Sequence, residues 1–180
     1  TWILLDLAIQ THGAITVPLF PNIAEENFLF EKKDPNINLL ILESPNLLDP
    51  ELQAHLPDFN KILLLNKEEN VGKNYFFLDD LIEQSKSKIE TKNFHIEFEK
   101  KINDISNDSI FSIIYTSGST GFPKGAELSH RNMLAQFPSL KKLVQLNSTD
   151  SALSILPLAH IFERMTVYFL LYSKTSIYFG

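Results

Sequence analysis

Apolar residues in the first third of the chain recur at helical spacing at first and then form short uninterrupted runs. In "TWILLDLAIQTHG" they recur at Trp2, Leu5 and Ile9, which predicts a helix over residues 2–12 with Gly13 as its C-terminal cap. The runs "AITVPLF", "NINLLILE" and "KILLLN" predict strands, and the second lacks alternation, as a strand covered on both faces does. Strands and helices alternating at this spacing predict a parallel sheet with right-handed crossovers.

Helices are predicted between these strands. Asn22 and Glu25 have the spacing of a capping box, which predicts a helix ending at about Lys33. Asp49 and Pro50 predict the N-cap and first turn of a short helix. Residues 67–107 are more polar and less periodic, and within them "FLDDLIEQSKSKIE" indicates a surface helix.

The last seventy residues give clearer signals. "SIFSIIYTS" predicts a strand, and "GAELS" predicts a short strand or turn. A helix is predicted to begin near Ser129 and to kink or end at Pro138. "SALSILPLAH" and "TSIYFG" predict strands on either side of an apolar helix, "IFERMTVYFLLY". The predicted fold class is therefore α/β, with parallel-sheet layers and flanking helices.

Composition removes several classes of function. The 180 residues are 44% hydrophobic and 21% charged, as in an ordinary globular protein. A net charge of -6 argues against a nucleic-acid groove, which needs a basic face. The absence of cysteine excludes disulfides and thiolate metal sites. No apolar run reaches the roughly 18–20 residues that a membrane-spanning helix needs.

Candidate chemistry is concentrated directly after the strand "SIFSIIYTS". The segment that follows is rich in small hydroxyl residues and glycine: Ser117, Gly118, Ser119, Thr120 and Gly121. Such residues let successive backbone N–H groups converge on one anion. Lys124, after Pro123, adds a positive charge. We therefore expect a site for phosphate oxygens at the mouth of a sheet.

Neither common nucleotide-binding pattern fits this segment. In a P-loop the lysine directly follows the second glycine and precedes Ser or Thr, whereas here Lys124 precedes Gly125 and Ala126. The Rossmann glycine spacing is absent as well. A P-loop phosphotransferase is thus a weaker hypothesis, and composition alone also allows a Ser/Gly surface loop.

The whole string resembles a known signature. "YTSGSTGFPKGAELSH" is similar throughout to the AMP-binding signature of the acyl-adenylate-forming superfamily, which includes acyl-CoA synthetases, luciferase-type enzymes and peptide-synthetase adenylation domains. "LPLAHIFER" resembles a segment of long-chain fatty acyl-CoA synthetases, and "HGAITVPLFP" resembles an upstream element of the same group. The resemblance is weakest between residues 67 and 107.

The resemblance implies a long-chain fatty acid–CoA ligase that uses ATP, Mg²⁺ and coenzyme A. A carboxylate attacks the α-phosphorus of ATP, pyrophosphate leaves, and CoA then displaces AMP. By the same resemblance residues 116–121 bind the β- and γ-phosphates, and the Thr116 hydroxyl lies near Mg²⁺. Lys124 is the implied catalytic residue, since it would neutralise charge on the departing pyrophosphate.

Two histidines are expected to have different roles. His160 in "PLAHIF" matches the family histidine between the acyl and nucleotide pockets, and we interpret it as a pocket-wall residue instead of a general base. His130 lies at a helix start, where the dipole disfavours a cation, so a neutral ring is expected. Glu163 and Arg164 are expected to pair with neighbours or with solvent.

Family elements beyond the signature do not occur in the sequence: the "YGxTE" segment, the "TGD" segment and the lysine of a small C-terminal domain. We therefore expect residues 1–180 to be a partial N-terminal adenylation domain, truncated at both ends and lacking the C-terminal domain. The alternatives are an acyl–acyl carrier protein synthetase, another adenylate-forming enzyme, or a non-catalytic phosphate-binding fragment. The expected location is cytoplasmic, and long-chain substrates are compatible with peripheral membrane contact, although no basic amphipathic helix is visible.

Overall fold

The computed structural model describes residues 1–89, 92–116 and 123–180. The chain divides into two compact units, one made of Thr1–Phe20 with Lys101–Gly180 and the other of Pro21–Lys100. The helices are α1 (Trp2–Gln10), α2 (Glu25–Lys33), α3 (Pro50–Gln53), α4 (Leu78–Ile89), α5 (Lys92–Asn103), α6 (His130–Leu134), α7 (Phe137–Leu143) and α8 (Ile161–Tyr172). The strands are β1 (Leu39–Leu42), β2 (Lys61–Leu64), β3 (Tyr75–Phe77), β4 (Ile110–Thr116), β5 (Lys124–Ser129), β6 (Ser151–Ser154) and β7 (Ser176–Phe179).

A three-stranded parallel sheet organises the unit Pro21–Lys100. Its order is β1-β2-β3, with Leu40 opposite Ile62 and Ile62 opposite Tyr75. Ile62 and Leu64 of the central strand are fully buried, as expected for a parallel strand with covered faces. The parallel sheet predicted from the apolar runs of β1 and β2 is thus confirmed. Strand β3 was missed, because its three residues lie inside a polar stretch.

Helix α2 shows that capping spacing alone can mislead. The capping box predicted at Asn22 is wrong: the helix begins at Glu25, and its N-cap, Ala24, offers no side-chain oxygen. Acidic residues in the first turn and lysines in the last turn match the helix dipole instead. Phe28 is buried from this helix, with its ring centroid 5.8 Å from that of Phe59.

Two small sheets organise the other unit. Strands β4 and β5 pair antiparallel, and β6 and β7 pair parallel with α8 between them in sequence. The predicted ends of the β6–α8–β7 segment are confirmed to within a few residues. The predicted start of a helix after Ser129 is confirmed, but the predicted kink or end at Pro138 is wrong: α6 already ends at Leu134, and Pro138 lies in the first turn of the next helix, α7, where its missing N–H is tolerated.

An apolar cluster of this unit lies between α1, β4, α6, α7 and α8. Its buried members are Ile3, Phe111, Met133, Phe137, Val167, Tyr168 and Phe169. Strand β4 buries residues on both of its faces, which explains its lack of polar alternation. The strand that carries the candidate phosphate segment is therefore fixed within the core of its unit.

The segment after α1 departs from its prediction. Gly13 has a φ of +70°, and its amide donates to the Gln10 carbonyl, which confirms the predicted helix cap. The strand predicted over residues 14–20 is wrong, because only Thr16 forms a β-bridge, to Ser112. The Thr16 amide donates to Phe111 and its carbonyl accepts from Ile113. Pro18 lacks an N–H to continue such pairing.

Candidate functional site

The candidate phosphate segment connects the two strands of an antiparallel hairpin. Strand β4 ends at Thr116, β5 begins at Lys124, and these two residues are paired opposite each other. The predicted phosphate-binding residues Ser117, Gly118, Ser119, Thr120 and Gly121 lie outside the described residues. Their role in binding phosphate remains a prediction. What the structure shows is that the two ends of the segment are held together by a strand pair.

Thr116 and Lys124 are both exposed at the end of this hairpin. In the part of the chain that the structure describes, no carboxylate lies within ion-pair distance of the Lys124 ammonium. A lysine with no acidic partner can meet a polyanion without first breaking an ion pair. The two side chains are therefore available to one anionic ligand on the strand-end side of the hairpin.

Gly125 is a hairpin residue whose role was not foreseen in the sequence. A Cβ added there would lie 2.8 Å from Cγ2 of Ile113 and 3.2 Å from the ring of Tyr115. Tyr115 is its cross-strand partner. Glycine at this position thus lets the buried ring of Tyr115 lie close against the β5 backbone, one residue from Lys124.

The end of β5 leads into a capped helix. The Ser129 hydroxyl accepts from the Asn132 amide at 3.2 Å, and the Asn132 side-chain oxygen accepts from the Ser129 amide at 2.9 Å. This reciprocal pair is a capping box, with the amide of Asn132 in place of the usual Glu or Gln. The signature residues after Lys124 therefore hold the hairpin in place through helix α6.

His130, the first residue of α6, is half-buried. Its ring centroid lies 5.3 Å from that of Phe111, and it borders an apolar cleft with Met133 and Tyr168. Burial lowers the pKa of His130, so the ring is neutral at pH 7. This direction agrees with the neutral ring expected from the sequence, with burial as its cause.

His160 is exposed at the start of α8, outside the core. As the N-cap, its Nδ1 accepts from the Phe162 amide at 3.3 Å, and its carbonyl accepts from the Arg164 amide at 3.1 Å. Because Nδ1 accepts, the proton of the neutral ring is on Nε2. The structure thus shows a helix-capping role, and the pocket-wall role remains a prediction.

Glu163 and Arg164 are buried, and both pair with neighbours. The Ser154 hydroxyl donates to Glu163, and the Arg164 guanidinium donates to both carboxylate oxygens of Asp6. The expectation of pairing with neighbours or with solvent is thus resolved in favour of neighbours, with Asp6 as a partner that the sequence did not single out. A signal existed: Asp6 is the only charged residue in α1, and Arg164 is the only basic one in α8.

The described residues could bind Mg²⁺ only together with a second ligand such as a phosphate, because they offer few oxygen atoms for it. No group of three or more His, Cys, Asp or Glu side chains among them could hold a metal. Mg²⁺ commonly takes one or two protein oxygens and completes its shell with phosphates and water. The exposed hydroxyl of Thr116 could supply one such protein oxygen.

Among the described helices, none is both long and apolar enough to cross a bilayer.

Comparisons with known proteins agree with the signature. The family model of the AMP-binding enzymes matches residues 1–179. Long-chain-fatty-acid–CoA ligase 5 of Mus musculus is 29% identical in an alignment 179 residues long, which covers 91% of this chain and 25% of that protein. The chloroplastic long-chain-fatty-acid–[acyl-carrier-protein] ligase AEE15 of Arabidopsis thaliana is 39% identical in an alignment 180 residues long, which covers 94% of this chain and 24% of that protein.

A solved structure supports the fold. The anthranilate CoA ligase AuaEII, in complex with anthranoyl-AMP, superimposes with a TM-score of 0.73 and 21% identity, over 98% of this chain and 32% of that one. The chain thus spans about a quarter of the length of these curated relatives. The likeness establishes an α/β fold of the kind that adenylate-forming enzymes have.

Proposed function

This chain belongs to the family of AMP-binding enzymes, and we propose that the protein containing it is an ATP-dependent long-chain fatty acid–CoA ligase. It activates a fatty acid as acyl-AMP, transfers the acyl group to coenzyme A, and releases AMP and pyrophosphate. The observation that carries this proposal is the pairing of Thr116 with Lys124 across the hairpin, because it brings both ends of the signature segment to one place.

The relatives support the substrate class. Several curated relatives are named as long-chain fatty acid–CoA ligases, and one is named as an acyl-carrier-protein ligase. Their common substrate by name is a long-chain fatty acid.

In the first step a carboxylate oxygen of the fatty acid attacks the α-phosphorus of ATP. A bond forms between these two atoms while the bond to the bridging oxygen of the β-phosphate breaks, and pyrophosphate leaves with that electron pair. The amides and hydroxyls of residues 116–121 would bind the β- and γ-phosphates, at roughly 1.5–3 kcal/mol for each hydrogen bond to a charged group. Lys124 would neutralise the charge that grows on the leaving group.

Magnesium would share the phosphates with these residues. The Thr116 hydroxyl is the protein oxygen proposed to hold it. When bound, the ion supplies positive charge that offsets the negative charge of the triphosphate. Lys124 contributes a second positive charge from the opposite strand of the hairpin.

In the second step the CoA sulfur, whose thiol proton goes to solvent, bonds to the acyl carbonyl carbon. The bond from that carbon to the AMP oxygen breaks, and AMP leaves with the oxygen that came from the carboxylate. His160 would form part of the wall between the acyl and nucleotide pockets. Because its imidazole caps α8, we propose that His160 helps to orient the substrates and does not transfer a proton.

Exchange of labelled pyrophosphate into ATP by the full-length polypeptide tests the first step. We expect exchange that depends on a long-chain fatty acid and that falls about a hundredfold in Lys124→Ala, the size of effect seen when one electrostatic donor is removed. Lys141→Ala removes an exposed lysine of α7 in the same unit and should exchange at the wild-type rate. Absence of exchange with every chain length would refute the substrate class.

A second acceptor is favoured by one comparison. The acyl-carrier-protein ligase AEE15 is 39% identical, against 29% for the mouse CoA ligase. Replacing CoA with phosphopantetheinylated acyl carrier protein in a thioester assay separates the two acceptors. A CoA ligase forms thioester only with CoA, whereas formation with the carrier alone would assign the alternative.

A further inference from the structure

A buried polar network surrounds the guanidinium of Arg164. Its Nε donates to Oδ2 of Asp6 at 2.8 Å, and its Nη2 donates to Oδ1 of the same carboxylate at 2.6 Å. Nη1 donates to the Ser112 hydroxyl at 2.6 Å, and Nη2 also donates to the Thr16 hydroxyl at 2.7 Å. One planar group therefore links α8 to α1, to the segment after α1, and to β4.

Aromatic rings enclose this network. The Arg164 Cζ lies 4.9 Å from the ring centroid of Phe111 and 5.6 Å from that of Trp2. Tyr168 donates its hydroxyl to Asp6, and burial raises the pKa of Tyr168, so the proton for this bond is retained. The Arg164 side chain is fully buried, so the hydrogen bonds and rings together replace its hydration.

Stability alone does not account for such a network. An apolar cluster of similar volume is commonly as stable as a buried ion pair, because desolvating two charges costs several kcal/mol each. A guanidinium differs from apolar side chains in its fixed fork of donors, which specifies where each acceptor must lie. The network therefore fixes positions more effectively than it adds free energy.

The network joins the two parts of the candidate site. Ser112 lies four residues before Thr116 in β4, the strand whose end carries the hairpin segment. Arg164 lies four residues after His160, and its amide donates to the His160 carbonyl at 3.1 Å. The Ser112 hydroxyl in turn donates to the Thr16 carbonyl at 2.9 Å, which holds β4 on its other side.

We propose that Arg164 is a positioning residue that sets the place of the β4–β5 hairpin relative to His160 at the start of α8. The consequence for catalysis rests on the proposed function. The phosphates bound at the hairpin and the carboxylate held on the His160 side must meet in line at the α-phosphorus. A misplacement of about 1 Å lowers such a rate about a hundredfold.

The test compares variants of the full-length polypeptide. Arg164→Met alone leaves Asp6 buried without its partner and can prevent folding. The double variant Asp6→Leu with Arg164→Met removes both charges and keeps the volume apolar, so it should fold. Arg131→Met is the matched control, since it removes an arginine that makes a bidentate pair with Asp108 on the surface of the same unit.

Two readouts distinguish positioning from folding. In the folded double variant we expect amide hydrogen exchange in β4 and β5 to be about tenfold faster, whereas β1 and β2 keep wild-type rates. We expect kcat for pyrophosphate exchange to fall about a hundredfold while KM for ATP changes by less than about threefold. Arg131→Met should match the wild type in both readouts.

Other outcomes overturn parts of this account separately. Wild-type hydrogen exchange in the hairpin of the folded double variant overturns the positioning inference, and so does an equal loss of kcat in Arg131→Met. A wild-type protein without fatty-acid-dependent exchange refutes the proposed function, and the hydrogen-exchange comparison then decides the positioning inference alone.

Discussion

Two arginine–aspartate pairs in the same unit have nearly identical geometry and opposite surroundings. Arg164 reaches Asp6 at 2.6 and 2.8 Å, and Arg131 reaches Asp108 at 2.6 and 2.9 Å. The first pair is 0% and 3% exposed, whereas the second is 63% and 68% exposed. Hydrogen-bond distance alone therefore says little about what such a pair does. Water screens the surface pair, whereas the buried pair is also bonded to Ser112 of β4 and to Thr16 after α1.

The pairs also differ in what they connect. Asp6 and Arg164 are 158 residues apart in the chain, and their bonds reach four segments. Arg131 and Asp108 are 23 residues apart and join the start of α6 to the turn before β4. Losing the surface pair would leave the β4–β5 ladder and the Ser129 cap intact. Losing half of the buried pair would leave a charge in the core beside β4.

The largest expected effect comes from breaking the buried pair. Asp6→Ala leaves the guanidinium of Arg164 buried without its counter-ion, and we expect this to lower the free energy of unfolding by about 3–5 kcal/mol. Urea unfolding of the full-length polypeptide, followed by tryptophan fluorescence, measures the loss, because Trp2 lies against Arg164. The control Asp108→Ala should unfold near the wild-type midpoint. Equal losses in both variants would remove the contrast between the pairs.

A smaller effect is expected from disturbing the hairpin without touching either pair. Gly125→Ala places a Cβ at 2.8 Å from Cγ2 of Ile113 and 3.2 Å from the ring of Tyr115, so these side chains or the strand that carries them must shift. We expect a destabilisation of about 1–3 kcal/mol, typical of overpacking. Pyrophosphate exchange should fall as well, since Lys124 is adjacent. A Gly125→Ala protein with wild-type exchange would show that the hairpin position is less critical than proposed.

The smallest expected effect is the pH dependence of the surface pair. The hydrogen bond from Arg131 holds the pKa of Asp108 below its ordinary value of 3.8. A lowered folded-state pKa means that the pair stabilises above the unfolded-state pKa and that this contribution is lost as pH falls through the folded-state value. Comparing unfolding midpoints of wild type and Arg131→Met between about pH 5 and about pH 2 measures it. The midpoints of the two proteins should converge as the pH falls. A difference between the midpoints that grows at low pH would contradict the lowered pKa of Asp108.

Local patterns predicted many of the elements correctly. The apolar helix α8 and the strands on either side of it were predicted closely, because an unbroken apolar run and flanking turn residues are local signals. The run at residues 14–20 misled because β propensity needs a partner strand, and only Thr16 has one. Strand β3 is too short to give a pattern of its own.

In the candidate site, too, features that depend on contiguous residues were predicted, and features that depend on tertiary contacts were not. The signature string could be recognised and Lys124 named from sequence, since the residues are contiguous. The pairing of Thr116 with Lys124, the closeness of Gly125 to Tyr115 and the burial of Arg164 against Asp6 depend on tertiary contacts. Spacing along the chain does not encode a contact between residues 6 and 164, although the single charge of α1 and the single basic residue of α8 were a usable sign.

The central claim is that the hairpin positions ATP for attack by a fatty-acid carboxylate on the α-phosphorus. The most direct test uses palmitate with ¹⁸O at both carboxyl oxygens, incubated with the full-length polypeptide, ATP, Mg²⁺ and CoA. Mass spectrometry then measures the ¹⁸O content of the AMP that is released. We predict AMP that carries a single ¹⁸O atom, because the attacking oxygen stays on phosphorus when CoA takes the acyl group. Release of ADP, or of AMP without the label, would contradict the claim.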